Sequence, residues 1–452
     1  MQRVVWGIIM AKVYIVHCID TEGPLYETLD ATFNRIQQIF GIDIDHSEEN
    51  LKKLQKGEID LGGQEREVSK TLDNSLLCTY KNFSEIENML KMLNDKKFRE
   101  ELVDSNGEGW KCSWFCMDHV GFSGENPRMR IAGYHSIYDW YIQRVAYSYG
   151  DIIQWHYHPL SVSGNYNACG MNYVASNNVF EVLARKVLDR QFFPSVYRPG
   201  FHTERPDSHW LLEQWIPFDY ANQSLVSIEQ TEQRDMRNGR LGNWNGATTS
   251  WEPYHPDYED YRKEGNCKRV IARCLNMNTR MRNINEQDFE QAFCEAKNGK
   301  DQLLSFTDHD FRDVCYDISL MRKMISKVTK KYPDVQFEFC NALEAMRKYY
   351  SMDVRNCNLR LNMQYNNLLI ESDDNIFGVQ PFFCLKLFGG KYLWSNLDFI
   401  GNHKWSFTFD MDSIEIEQIE KIGIAANSSS GVTDVVVVNV KTGSINKKIL
   451  NN

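Results

Sequence analysis

The sequence predicts an α/β protein, a parallel barrel followed by an all-β region, on three observations. Short apolar runs repeatedly end in polar, chemically capable residues; helical patterns lie between them; and after about residue 352 alternating strands take over. Strand, functional residues, then helix is the rhythm of a parallel α/β barrel, which keeps its chemistry at the C-terminal ends of its strands.

The first apolar run, residues 12–19, leads into Asp20-Thr21-Glu22-Gly23-Pro24. Residues 24–109 then separate the first strand from the second, far more than a simple crossover needs. This stretch is polar and partly helical, as at residues 84–93, and reads as an inserted cap over the site. Residues 110–117 are followed by Asp118-His119, residues 152–155 by His156-Tyr157-His158-Pro159, and residues 192–197 by Arg198-Pro199-Gly200-Phe201-His202. Residues 220–266 show little regular pattern but many Trp, Tyr and Asn, which suits a substrate-facing loop. Residues 303–306 lead into Thr307-Asp308-His309-Asp310. Ile318, Met321, Met324, Ile325 and Val328 keep a helical period until Pro333 stops it. Farther on, Leu359, Leu361, Met363 and Tyr365 alternate with polar residues, residues 405–409 alternate too, and residues 435–438 are a continuous valine run. A C-terminal β-sandwich over 351–452 is expected, with the barrel at 1–350.

The chain's 452 residues are 42% hydrophobic and 25% charged, a folded composition that excludes a disordered tail, a collagen or a small disulfide scaffold. A net charge of −10 argues against a protein built to hold nucleic acid or an anionic membrane. The twelve cysteines are scattered without any Cys-x-x-Cys pair and read as free core thiols in a reducing compartment. The apolar run at residues 4–10 is too short to span a bilayer, which takes about 20 residues, and Met10 is an alternative start. A cytoplasmic protein without a membrane span is expected; the oligomeric state is open.

Spacing singles out the chemistry. On a strand, residues i and i+2 share a face, so His156 and His158 project together, as a first-row divalent metal requires. The bland alternative is a pair of histidines ending a strand. Asp20 and Glu22 share a face by the same period, which suits a metal ligand beside a proton-transfer group; a solvated Glu-Gly-Pro turn is the alternative. His309 between two carboxylates suits a general acid. Arg198 at another strand end could orient a carboxylate by a bidentate contact. Together these groups have the layout of a metal-assisted hydrolase site.

In that order, Ile19-Asp-Thr-Glu-Gly-Pro24, Trp155-His-Tyr-His-Pro159, Tyr197-Arg-Pro-Gly200 and Leu304-Ser-Phe-Thr-Asp-His309, the chain resembles the NodB-type polysaccharide deacetylases over roughly residues 11–350. Within them it is most similar to an outlying branch among bacterial O-antigen biosynthesis proteins of the WbmS type. The resemblance implies a distorted (β/α)7-type barrel and one divalent metal ion, usually zinc. It makes Asp20 the general base, Glu22, His156 and His158 the metal ligands, Arg198 the residue that orients the base, and His309 the general acid. The chain departs from the family pattern in two places. Glu22 replaces a shorter aspartate, and the histidines are two residues apart where the family has four, with Gln154 in the strict position.

The implied reaction is removal of an acetyl group from an N-acetylated sugar in surface-polysaccharide synthesis. Asp118, His119, Trp244, Trp251, Tyr254 and His255 are candidates for gripping the sugar, with core packing the alternative for the tryptophans. His202 is the remaining histidine best placed to reach the site. Two other readings stay open: a glycoside hydrolase pairing Asp20 with Asp308 or Asp310, and an inactive carbohydrate-binding protein.

Overall fold

The computed structural model describes residues 11–120, 133–159, 173–174, 176–226 and 242–451. The apolar run before residue 11, with Met10, and Cys169 lie outside the described residues. Chain order begins with β1 (Lys12–Thr21) and the helices α1 (Leu29–Phe40), α2 (Glu48–Lys56), α3 (Glu65–Thr71), α4 (Asn74–Leu77), α5 (Phe83–Leu93) and α6 (Lys96–Arg99). It continues through β2 (Cys112–His119), α7 (Ser136–Tyr141), β3 (Ile152–His158), α8 (Asn178–Arg190), β4 (Val196–Pro199), α9 (Pro206–Trp215) and β5 (Phe218–Asn222). The barrel region ends with β6 (Val270–Asn276), α10 (Glu286–Lys297), β7 (Gln302–His309), α11 (Val314–Lys331), β8 (Gln336–Cys340) and α12 (Ala342–Tyr349).

Strands β1 to β7 form a closed parallel barrel, β1 pairing with both β2 and β7. An eighth strand departs from the seven-strand expectation. β2 meets β1 only from His17 to Thr21, so the first half of that edge would be bare; β8 fills it, from Lys12 to Val16.

Strand periodicity sorts the side chains. Tyr14, Val16 and Cys18 of β1 point inward and join Phe115, Ile152, Val196, Phe218, Ala272 and Leu303 in one cluster. α12 closes the N-terminal end of the barrel on this cluster with Ala342, Leu343, Ala345 and Met346. The Tyr220 hydroxyl donates to the Ala342 carbonyl across the plug (2.6 Å). The lower half of the interior is therefore filled, and only the C-terminal end is left for polar groups.

The insertion divides in two. Helix α5 packs into the same outer core as α10 and α11 and serves as the β1–β2 crossover helix. Helices α1 to α3 build a separate small core around Phe33, Ile36, Leu54 and Val68. The base of this lobe is tied to the barrel rim, where the Thr79 and Tyr80 amides donate to the Phe311 carbonyl (2.7 and 2.9 Å). Between β5 and β6, residues 242–266 pack Trp244, Tyr254 and Tyr261 onto Ala221 and Ile271, a cover built from aromatic area without a helix. Residues 227–241 of the expected loop lie outside the described residues.

The C-terminal region holds β9 (Arg360–Gln364), β10 (Asn367–Glu371), β11 (Phe382–Leu387), β12 (Tyr392–Ser395), β13 (Asp398–Gly401), β14 (Lys404–Thr408), β15 (Ile419–Asn427), β16 (Thr433–Asn439) and β17 (Ile445–Leu450). They form antiparallel sheets ordered β13-β14-β10-β9 and β12-β11-β15-β16-β17, packed on a common core. The central strands of the second sheet, β11, β15 and β16, are buried on both faces. Phe383, Ile424 and Val436 face the sandwich, while Phe382, Ala425, Val435 and Val437 face α8 and α9. This is why the valine run does not alternate. At Gly423 a Cβ would come within 2.8 Å of Val187 and Leu188, so glycine lets α8 approach. All described cysteines are free thiols. Among the described residues no helix is long and apolar enough to cross a membrane.

Candidate metal centre

The inward parity that fills the lower barrel continues upward into chemistry. Asp20 and Glu22 follow Cys18 on β1 and just past its end. His156 and His158 follow Ile152 and Gln154 on β3, and Arg198 follows Val196 on β4. All five side chains are buried.

Glu22, His156 and His158 converge. The His156 Nε2 and His158 Nε2 atoms are 3.0 Å apart, and Glu22 Oε1 lies 3.1 Å from the second and 3.4 Å from the first. Ligand atoms on a tetrahedral zinc ion, with bonds of about 2.0–2.1 Å, sit about 3.3 Å from one another. The three atoms all lie within 4.8 Å, so the donor set fits a small divalent cation. The His156 Nδ1–H donates to the Arg198 carbonyl (3.0 Å), which fixes the tautomer and leaves Nε2 its lone pair.

The supporting shell is specific. Asp310 accepts from the backbone amides of Glu22 and Gly23 (2.8 Å each) and from the Tyr141 hydroxyl (2.8 Å), pinning the turn that carries Glu22. Burial pushes the Asp310 carboxyl up to about 7, with those donors pulling the other way. At Gly200 a Cβ would stand 2.6 Å from the His158 ring, so the Arg-Pro-Gly motif needs glycine for the imidazole to fit. The next two residues are left-handed, Phe201 at φ 53° and His202 at φ 51°. This turn sets the Phe201 ring against His158 (centroids 5.0 Å) and His202 Nδ1 3.4 Å from Arg198 Nη2.

Arg198 grips Asp20 bidentately, Nε to Oδ1 at 2.6 Å and Nη2 to Oδ2 at 3.0 Å, and its Nη1 donates to the Tyr220 carbonyl (2.5 Å). Burial alone would raise the Asp20 carboxyl, but the Arg198 charge, then His156, outweigh it and hold it well below the usual range. His309 Nε2 is 3.8 Å from Glu22 Oε1. Burial drives the His309 imidazole down to about 4, so it is neutral at pH 7.

The neighbours of His309 do not flank it as a carboxylate pair, although the Asp308 charge acts against the fall that burial causes. Asp308 has the opposite parity and accepts from His17 Nε2 (3.1 Å), whose Nδ1 accepts from the Trp110 indole (3.1 Å). Asp310 is occupied by backbone.

Of the proposed sugar contacts, His119 alone joins the site, its ring 5.2 Å from that of His158. Burial lowers its imidazole to about 4. Asp118 has the opposite parity. It is fully buried outside the barrel wall, 2.9 Å from Lys186 Nζ, and accepts from the Trp155 indole (2.9 Å) and the His135 amide (3.0 Å). Trp244 is core, its indole donating to the His202 carbonyl (3.0 Å), one step behind the site. Trp251 is buried under the Arg273 guanidinium (4.2 Å). Tyr254 pairs with Ile271, and His255 bonds to the Cys267 carbonyl before β6 and packs on Tyr350, at the opposite end of the barrel. Gln154, where the family pattern has histidine, accepts from the Ser195 and Val196 amides (3.2 and 3.0 Å) and anchors β4. Sequence spacing offered no sign of the Gln154, Tyr141 and Asp310 roles, because each acts on backbone or on a distant segment.

Comparison of the chain with protein-family models, with curated proteins and with solved structures finds no match in any of the three.

Proposed function

We propose that this chain is a metal-dependent hydrolase that removes the acetyl group from an N-acetylated sugar of surface-polysaccharide biosynthesis. The observation that carries the reading is the convergence of Glu22 Oε1, His156 Nε2 and His158 Nε2 at the open end of a barrel plugged at the other. Two imidazoles and one carboxylate are a donor set zinc takes in catalytic sites, with positions left for water and substrate. Bound there, the ion would polarise an amide carbonyl and acidify water.

The chain's own groups supply the proton transfers. Asp20 is the carboxylate two residues from Glu22 on the same strand face, and Arg198 fixes its orientation. It takes a proton from the attacking water. Held as a weak base, it gives that proton up readily. His309 is neutral before reaction and must gain a proton before it protonates the leaving amine nitrogen; the water's proton is the available source. The sequence resemblance to NodB-type deacetylases supports the same assignment. The glycosidase reading is weakened, because Asp308 and Asp310 are occupied by His17 and by backbone amides.

The test is elemental analysis of untagged protein beside a His156→Ala/His158→Ala variant, with acetate release measured on N-acetylated sugars and their nucleotide-linked forms. Near one equivalent of zinc or a similar ion, lost in the variant together with acetate release, is expected. Absence of metal in both after reconstitution overturns the reading.

A further inference from the structure

We propose that the substrate of this site carries an acidic group, a phosphate or a carboxylate, that pairs with Arg282 on the rim between β5 and β6. This substrate class rests on the hydrolase reading above; the anion site itself does not.

Arg282 differs from six other buried arginines. Arg99, Arg198, Arg269, Arg273, Arg312 and Arg322 each hold a carboxylate: Asp151, Asp20, Glu204 with Asp219, Asp288, Asp317 and Glu101 respectively. Arg282 is 8% exposed and has no such partner among the described residues. Its Nε is buried without a hydrogen bond, and its Nη1 reaches the Gln223 carbonyl only at 3.5 Å. Burial pulls its guanidinium down to about 10, with no anion opposing that shift. An uncompensated buried cation costs stability, so its retention points to an anion that arrives from outside.

Its position is built. The β6–α10 connection folds back so that the Asn276 amide donates to the Arg282 carbonyl (2.9 Å) and the Ile284 amide to the Asn276 carbonyl (2.8 Å). The Asn276 side chain donates to the Met281 carbonyl (2.9 Å). Arg282 itself is left-handed, at φ 49°, a conformation these bonds enforce. Gln223 directly follows β5, the strand whose Tyr220 carbonyl receives Arg198, so the Arg282 guanidinium lies over the catalytic end of the barrel. His202, beside Arg198, is held neutral by burial and by the charges of Arg198 and Arg282. A planar fork of donors in such a place matches the paired oxygens of a phosphate or carboxylate.

The experiment has two arms. In metal-stripped protein, where no ion competes for the anion, inorganic phosphate and glucuronate are titrated while melting temperature is followed. Both are expected to stabilise wild type and to have no effect on Arg282→Met; Arg282→Lys should retain part of the response. Without ligand, Arg282→Met should melt no lower than wild type, which separates lost binding from lost folding. Equal anion responses in wild type and Arg282→Met, or none in wild type, overturn the proposal.

In metal-loaded protein, acetate release is compared for N-acetylglucosamine, its 1-phosphate and its uronic acid. At least about tenfold higher kcat/KM for one acidic sugar, equivalent to about 1.4 kcal/mol and lost in Arg282→Met, is expected; the preferred acid tells phosphate from carboxylate. Equal rates on neutral and acidic sugars overturn this proposal and leave deacetylation standing. Arg282-dependent anion binding in a protein that releases acetate from none of them supports the anion site and overturns deacetylation.

Discussion

Two clusters of buried charge share the β2–β3 wall of the barrel and are built on opposite terms. Outside the wall, Asp118 meets Lys186, the Trp155 indole and the His135 amide, and Lys186 also lies over the Tyr138 and Phe192 rings. Inside it, Glu22, His156 and His158 bring a carboxylate and two imidazole nitrogens to one point. The outer cluster is a closed ion pair that locks α8 to the wall. The inner one gathers lone pairs that repel unless a proton or cation lies among them. Depth of burial is the same, so burial alone does not mark a functional site; the balance of charge within the cluster does.

The sharpest break of this comparison is the deletion of one member from each side. His158→Ala should lose bound metal beyond the about 10–100-fold that losing a group hydrogen-bonded to a ligand costs, with turnover lost in parallel. Metal-stripped His158→Ala should unfold near the wild-type urea midpoint. Asp118→Asn should do the reverse, costing about 3–5 kcal/mol because Lys186 is left buried without its anion, while metal stoichiometry in the folded fraction is unchanged. Equal destabilisation by both variants in metal-free protein would make the inner cluster structural and remove the distinction.

The inner cluster was largely legible because strands have a period of two. His156-x-His158 and Asp20-x-Glu22 announce their shared faces, and Arg198 ahead of Pro-Gly follows a strand like the others. The same rule, applied one residue at a time, would have separated Asp118 from His119: adjacent residues on β2 face opposite sides. Trp244, Trp251 and His255 misled for a different reason. An irregular segment has no periodicity to say which way an aromatic ring turns, and here the rings replace a missing helix as cover for β5 and β6. Strand β8 was illegible because it completes only half of one edge of β1. The union of the sandwich with α8 and α9 depends on contacts between segments more than 160 residues apart, such as the Trp215 indole donating to the Gln380 carbonyl and the Asn427 side-chain amide donating to the Trp215 carbonyl.

Smaller effects sharpen the contrast. Gly200→Ala crowds the His158 ring without touching any charge, so metal affinity should fall about 10–100-fold with little change in urea stability. Retained affinity would mean that the turn relaxes and that glycine there is not needed for the metal ligands. In the outer cluster the sensitive variable is pH. Burial would raise the Asp118 carboxyl, but Lys186 and His135 outweigh it and hold it below the ordinary value near 3.8. Its stabilisation is therefore complete above about pH 4 and is lost as pH falls through the folded value. Acid unfolding of wild type should show this loss below about pH 4, and Asp118→Asn should flatten that limb. An unchanged acid limb would show that the pair contributes no pH-dependent stability.

The last test falls between the two clusters, at Gln154, an inward position that carries no chemistry. Its carbonyl oxygen accepts two β4 amides, so Gln154→Ala should cost about 1–3 kcal/mol for buried donors left unmade while the metal content stays at the wild-type level. Gln154→His tests the family-like spacing directly. If the imidazole cannot reach both amides, this variant should be destabilised in the same way and bind no additional metal. Tighter metal binding with β4 intact would mean that the inner cluster tolerates either histidine spacing. The strand-borne His156 would then be one of two solutions open to this barrel, not one imposed by a β4 anchor that needs Gln154 where the other histidine would stand.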